Sequence, residues 1–211
     1  MAILEDISSA LQRGKKKEVT ALVQQAIDEG VDATTILTEG LMSGMNIIGE
    51  KFKNDEVFVP EVLVAARAMN AGTALLKPLL GTEGATTLGK AIIGTVKGDM
   101  HDIGKNLVRM MIEGKGIEVI DLGVDVEPKA FVDAAIENDV DIVCMSALLT
   151  TTMPMMEETV KAIEEAGIRD KVKIMIGGAP VTQEFCDSIG ADYYTDDAAS
   201  AADKAAEILT A

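Results

Sequence analysis

Two periodicities run along this chain, and one gives way to the other near residue 90. Up to about residue 80 the apolar side chains recur only at helical spacing. Ile3, Leu4, Ile7 and Leu11 share one face, and Gly14 ends that run. Val19, Leu22, Val23, Ala26 and Ile27 make a second face, stopped by Gly30. Ile36, Leu37, Leu41, Met45 and Ile48 make a third. Pro60 stands where a first-turn proline belongs, ahead of a fourth run carrying Val62, Leu63, Ala66, Met69, Leu75 and Leu76. Four amphipathic helices with short connections predict an up-and-down bundle over residues 1–80. Lys77 to Gly89 then brings Pro78, Gly81, Gly84 and Gly89 together with three threonines. That is linker composition, and it sets the expected boundary at residues 81–89.

Beyond it, short apolar runs alternate with amphipathic ones. Strands are predicted at Ala91 to Val96, Ile117 to Leu122, Asp141 to Ser146, Lys173 to Ile176 and Asp192 to Tyr194. Helices are predicted at Ile103 to Glu113, Pro128 to Asn138, Met153 to Ala166, Thr182 to Ile189 and Ala198 to Leu209. Five strand–helix units over residues 90–211 predict an α/β fold. Its parallel sheet is doubly wound in the flavodoxin or Rossmann manner, with helices on both faces and the switch point beside the first strand.

Composition narrows this picture. With 211 residues, 48% of them hydrophobic, and a mean hydropathy of +0.22, the chain has enough apolar material for a real core. It has no tryptophan and only 3% aromatic residues, so that core is aliphatic, with 12 methionines as adaptable filler. The 35 acidic and 19 basic residues leave a net charge of -16, which argues against a nucleic-acid partner, since a phosphate backbone needs a basic footprint. Cys144 and Cys186 lie in apolar contexts without metal-ligand spacing and read as buried thiols of a reducing compartment. The N-terminal residues lack the pattern of a secretory signal, and no apolar run is long enough to span a bilayer. The expectation is a cytoplasmic protein with no membrane partner.

Candidate chemistry gathers where predicted strands end. The chain's one histidine lies in Gly98-Asp99-Met100-His101-Asp102-Ile103-Gly104, between the first strand and its helix. The carboxyl edge of an open α/β sheet is where ligands bind. A carboxylate at Asp99 is within reach of one ring nitrogen of His101, which leaves the other as a lone-pair donor of fixed tautomer, suited to a metal. Gly98 and Gly104 remove bulk on either side, so that a large flat ligand can approach. A solvated or capping histidine would fit the same position. Ser146-Ala147-Leu148-Leu149-Thr150-Thr151-Thr152 follows the third strand and offers small hydroxyls. Thr152 precedes Met153-Pro154, where a helix cap is also expected. Gly177-Gly178 ends the fourth strand and would let a ligand press on bare backbone, or simply make a turn.

Asp-x-His-x-x-Gly, Ser-x-Leu and Gly-Gly in this order resemble the corrinoid-binding module shared by cobalamin-dependent methionine synthase, the methyltransferase corrinoid proteins and the mutases. The resemblance covers essentially the whole chain. It implies cobalamin as cofactor, with His101 replacing the cofactor's own base beneath cobalt. The segment with Ser146, Leu148 and Thr150 would line the channel for the nucleotide tail. Thr152 would extend a relay through Asp99 to His101, a role the residues alone leave open beside capping. Gly44 to Phe52 and Phe58 to Val62 resemble the helical cap of methionine synthase and the methylamine-type corrinoid proteins. In that reading Phe58 covers the upper face of the corrin, although periodicity equally allows it in the bundle core.

The implied function is that of a corrinoid methyl carrier, not catalytic alone. It would accept a methyl group on Co(I) from a methylated substrate and pass it from methyl-Co(III) to a second methyltransferase, with tetrahydrofolate or coenzyme M as acceptor. Its implied partners are a substrate-specific methyltransferase, that second methyltransferase, and a reductive activase. Three alternatives use the same α/β half. A mutase subunit would not need residues 1–80. A corrinoid-dependent DNA-binding regulator would need a basic helix. A flavodoxin-like or receiver-like signalling domain would use Asp99 or Asp102 as phosphate acceptor.

Overall fold

A computed structural model describes residues 2–84 and 87–210. The chain divides into two compact units, residues 1–87 with 114–116, and residues 88–113 with 117–211.

The first unit is helical. It contains α1 (Ala2–Gln12), α2 (Lys16–Asp28), α3 (Ala33–Thr35), a π-helical stretch (Ile36–Met42), α4 (Ser43–Lys53) and α5 (Val59–Gly84). The third predicted helix is thus α3, the π-helical stretch and α4 run together. Ile36 and Leu41, five residues apart, are both fully buried, and the wider π turn brings such a pair closer to one face. Gly40 and Gly44 open a shallow groove for α1: a Cβ at Gly44 would lie 2.9 Å from the Ser8 carbonyl oxygen. Asp32 caps the start of this run by accepting from the Thr35 amide at 3.0 Å.

The last helix of this unit outruns its prediction. α5 contains Pro78 and reaches Gly84, into the stretch expected as linker. Leu76 and Leu80 are both buried, so the apolar period carries through the proline, which costs the helix a single backbone bond. Residues 85 and 86 of the expected linker lie outside the described residues.

The second unit is a five-stranded parallel sheet in the order β2-β1-β3-β4-β5. Its strands are β1 (Lys90–Val96), β2 (Glu118–Val126), β3 (Ile142–Ser146), β4 (Lys173–Gly177) and β5 (Tyr193–Tyr194). Its helices are α6 (Ile103–Glu113), α7 (Pro128–Asn138), α8 (Pro154–Glu165), α9 (Gln183–Ile189) and α10 (Ala198–Thr210). This is the α/β doubly wound fold expected from the sequence, following a helical region.

Strand alternation explains the continuous apolar runs. Ile92, Val96, Val143, Met145, Ile174 and Ile176 share one core with residues of α7, α8 and α9. The alternate positions Ala91, Ile93, Ile142, Cys144 and Met175 are buried too, and point to the opposite face. Phe131 of α7 is fully buried over Gly94, where a Cβ would come within 2.8 Å of its ring. Burial pushes the Cys144 thiol up to about 12 and that of Cys186 to about 11.

β2 is longer than its pattern predicts. Two register shifts against β1, around Gly94, carry it past Leu122 to Val126. Gly123 and Asp125 take positive φ, of 85° and 55°, within that extension. Such irregularities bend the strand end and re-aim its side chains.

Candidate functional site

Strand order places β1 and β3 side by side, so the loops leaving their carboxyl ends are neighbours. The first, between β1 and α6, turns at Gly98, whose φ of +81° suits glycine. The Asp99 amide donates back to the Val96 carbonyl at 3.1 Å. Fully buried Thr95 donates its hydroxyl to the His101 carbonyl at 2.8 Å, closing the loop against its own strand.

These bonds turn the Asp99 carboxylate inward, where it is 0% exposed. Its Oδ1 accepts from the His101 amide at 3.1 Å and lies 2.7 Å from His101 Nδ1. Its Oδ2 accepts from the Leu148 amide at 2.8 Å and the Leu149 amide at 3.2 Å. The Thr152 hydroxyl is 2.9 Å from the same Oδ2 and 2.8 Å from the Leu149 carbonyl, and its single proton serves one at a time. Burial works against the charge on Asp99. Hydrogen bonds from the His101 ring, Leu148, the His101 amide and Thr152 outweigh it and hold the carboxyl well below the usual carboxylate range.

An ionised carboxylate can only accept. A neutral His101 ring bonded to it therefore carries its proton on Nδ1, which leaves the Nε2 lone pair free. The imidazole is half exposed, at 51%, with its Nδ1 edge tied inward. Apolar side chains are exposed in or directly after the same two loops: Met100 and Ile103 are 68% and 77% exposed, and Leu148 and Leu149 are exposed as well. Exposed apolar side chains near one available ring nitrogen suit a bulky, largely apolar group. A Cβ at Gly104 would meet nothing within 4 Å, so the space beside it is open. Asp102 faces outward and accepts from the Asn106 side chain at 3.1 Å.

The remaining candidates fall around this loop or elsewhere in the chain. Ser146 ends β3 half-buried, in register with Thr95 of β1 and Gly177 of β4, and Thr150 is exposed in the following turn. α8 takes Met153 as its N-cap, without a side-chain bond, so the Thr152 hydroxyl is directed at Asp99 and Leu149 instead. Gly178 has a φ of +133°, and a Cβ there would fall 1.8 Å from the Ala147 carbonyl oxygen. Its bareness thus serves the neighbouring protein loop first. Gly177 has only ordinary contacts. Phe58 lies in the helical unit, just before α5, with its ring 65% exposed rather than in the bundle core. Its amide donates to Glu61 at 3.0 Å, capping that helix.

The sequence did not reveal the backbone role of Leu148 and Leu149 or the parts played by Asp125 and Lys105. The Leu148 and Leu149 amides act through backbone, which carries no residue-type signal. Asp125, at the end of β2, accepts from the Gly98 amide at 2.7 Å through Oδ1, and its own amide donates to the Asp99 carbonyl at 3.0 Å. Gly123-Val124-Asp125 at a strand end was the available clue. Buried Lys105, just after the histidine loop, pairs with Asp121 of β2, which also accepts from Arg109 at 3.1 Å.

A B12 binding domain family model matches residues 89–203, and a second B12 binding domain model matches residues 3–77. The dimethylamine corrinoid protein of Methanosarcina barkeri is 43% identical over 209 residues, covering 98% of this chain and 97% of that protein. The methanol:cobalamin methyltransferase complex of Methanosarcina barkeri contains a chain that superposes with a TM-score of 0.91 at 30% identity, covering 99% of this chain and 80% of that one. A cobalamin-binding protein of Desulfitobacterium hafniense superposes with a TM-score of 0.80 at 33% identity, covering 97% and 98%.

Proposed function

The chain belongs to the cobalamin-binding corrinoid proteins, and from that premise we propose that it is the methyl carrier of a multi-component methyltransferase system, with His101 as the lower ligand of cobalt. The observation that carries this reading is the 2.7 Å contact between His101 Nδ1 and a fully buried, ionised Asp99. A single imidazole fills one coordination position, so a metal held there needs its other ligands from a macrocycle. The exposed apolar side chains of Met100, Ile103 and Leu148 fit such a ring.

When bound, cobalamin supplies a cobalt that takes up a methyl group as nucleophile and gives it up again. The residues of this chain bind and orient it. His101 offers Nε2, and Asp99 fixes the ring and raises its donor strength. Thr152 and the Leu148 and Leu149 amides keep Asp99 charged and in place. Gly98, Asp102 and Gly104 shape the loop that carries the ligand. Ser146, Thr150, Gly177 and Gly178 are the proposed contacts for the nucleotide tail, and Phe58 is the proposed contact from the helical unit. The fully engaged, solvent-excluded Asp99 is a poor phosphate acceptor, which argues against the receiver-like alternative at that residue.

The methyl donor is brought by a separate substrate-specific methyltransferase, and the acceptor, tetrahydrofolate or coenzyme M, by a second one. A reductive activase is the third proposed partner. A relative in complex with a methyltransferase supports the first of these. The test is to add hydroxocobalamin, pass the protein through gel filtration, reduce it, and supply a methylated substrate with its cognate methyltransferase. Cofactor should stay with the protein, and donor consumption should scale with the loaded fraction. A colourless eluate, or consumption independent of this protein, contradicts the reading.

A further inference from the structure

The geometry points to Asp125 as a positioning residue for the histidine loop, a role that rests on reading His101 as the cobalt ligand. Asp125 belongs to the exit of β2, on a different strand from the histidine loop, and it grips the turn of that loop. Its Oδ1 accepts from the Gly98 amide at 2.7 Å, and its amide donates to the Asp99 carbonyl at 3.0 Å. One residue of a neighbouring strand thus holds two successive residues of the turn on which the Asp99 carboxylate is mounted.

The backbone makes the arrangement specific. Gly98 and Asp125 both have positive φ, +81° and +55°. Left-handed backbone at Gly98 exposes its amide toward β2, and the same conformation at Asp125 lets side chain and amide face one way. Aspartate is among the few side chains that tolerate this conformation. The register shifts between β1 and β2 bring the two turns level. The opposite end of the loop is tied to the same strand, because Lys105 pairs with Asp121. β2 therefore clamps the loop on both sides of His101 while supplying no ligand itself. Asp125 is exposed, so replacing it opens no cavity and its variants should fold.

Three substitutions separate the parts of this role. Asp125→Gly keeps the left-handed conformation and removes the acceptor. Asp125→Asn keeps both an acceptor oxygen and the conformation. Asp125→Ala removes the acceptor and strains the backbone. His101 is the chain's one histidine, so its ring nitrogen signals in cofactor-free protein need no assignment. The wild type should show a single Nδ1–H tautomer, and so should Asp125→Asn. Asp125→Gly and Asp125→Ala should show a mixture of tautomers.

In loaded protein, Asp125→Gly should bind cobalamin about tenfold more weakly, with a smaller histidine-ligated fraction in the visible spectrum, while Asp125→Asn stays near wild type. Wild-type ring signals and affinity in Asp125→Gly would overturn the assignment, as would Asp125→Asn being as impaired as Asp125→Gly. His101→Gly serves as the reference. If its loaded spectrum equals the wild-type one, the ligand reading fails, whereas the cofactor-free ring signals still decide the role of Asp125.

Discussion

At the scale of single residues, the site depends on one carboxylate. Five neighbouring donors from two stretches of chain surround the buried carboxylate of Asp99 and favour its charge. The pairing with His101 was legible in the sequence because the two residues are only two apart. The amides of Leu148 and Leu149 and the carboxylate of Asp125 were not, because they come from distant residues and partly through backbone. Cys144 gives a prediction at this scale. Burial on β3 raises its thiol from 9.0 to about 12. A raised folded value contributes stability that is complete below the unfolded value and lost as pH rises toward the folded one. Wild-type stability should therefore fall by about 1 kcal/mol per pH unit above pH 9 from this group. Cys144→Ala should be less stable than wild type at pH 7 by about 1–2 kcal/mol, with the gap closing above pH 9 in urea melts. A constant gap would contradict this.

At the scale of elements, periodicity located the helices and strands well, because strands buried on both faces read as unbroken apolar runs. It failed where backbone departs from regular geometry. The π-helical stretch was unreadable because Ile36 and Leu41 also fit a loosely drawn α face. The end of β2 was unreadable because its bulged residues interrupt the strand pattern. Pro78 and the glycines after it suggested a break that the buried leucines override. The Gly177-Gly178 pair was legible as a special backbone site, but the sequence could not say that the Ala147 carbonyl is what needs the space. Gly178→Ala should destabilise the protein by about 3 kcal/mol, from overlap with that carbonyl and the strained φ. It should also weaken cobalamin binding, because the displaced loop carries the Leu148 and Leu149 amides. Wild-type urea midpoint and wild-type cofactor titration together would contradict this.

At the scale of the whole molecule, a helical unit and a doubly wound sheet occupy one acidic chain of net charge -16. The sheet order sets the exits of β1, β2, β3 and β4 along one carboxyl edge, and each exit brings one part of the candidate site. The proposed ligand His101 follows β1, Asp125 lies at the end of β2, the Leu148 and Leu149 amides and Thr152 follow β3, and Gly177-Gly178 ends β4. The proposed cobalt ligand is a single nitrogen of His101, so the most direct measurement addresses that atom. Protein containing 15N-labelled histidine is loaded with cobalamin, reduced to Co(II), and examined by electron paramagnetic resonance. With His101 as ligand, the nitrogen splitting changes from the triplet of 14N to the doublet of 15N. A triplet that persists in the labelled protein, as it would with the cofactor's own base on the metal, contradicts the account.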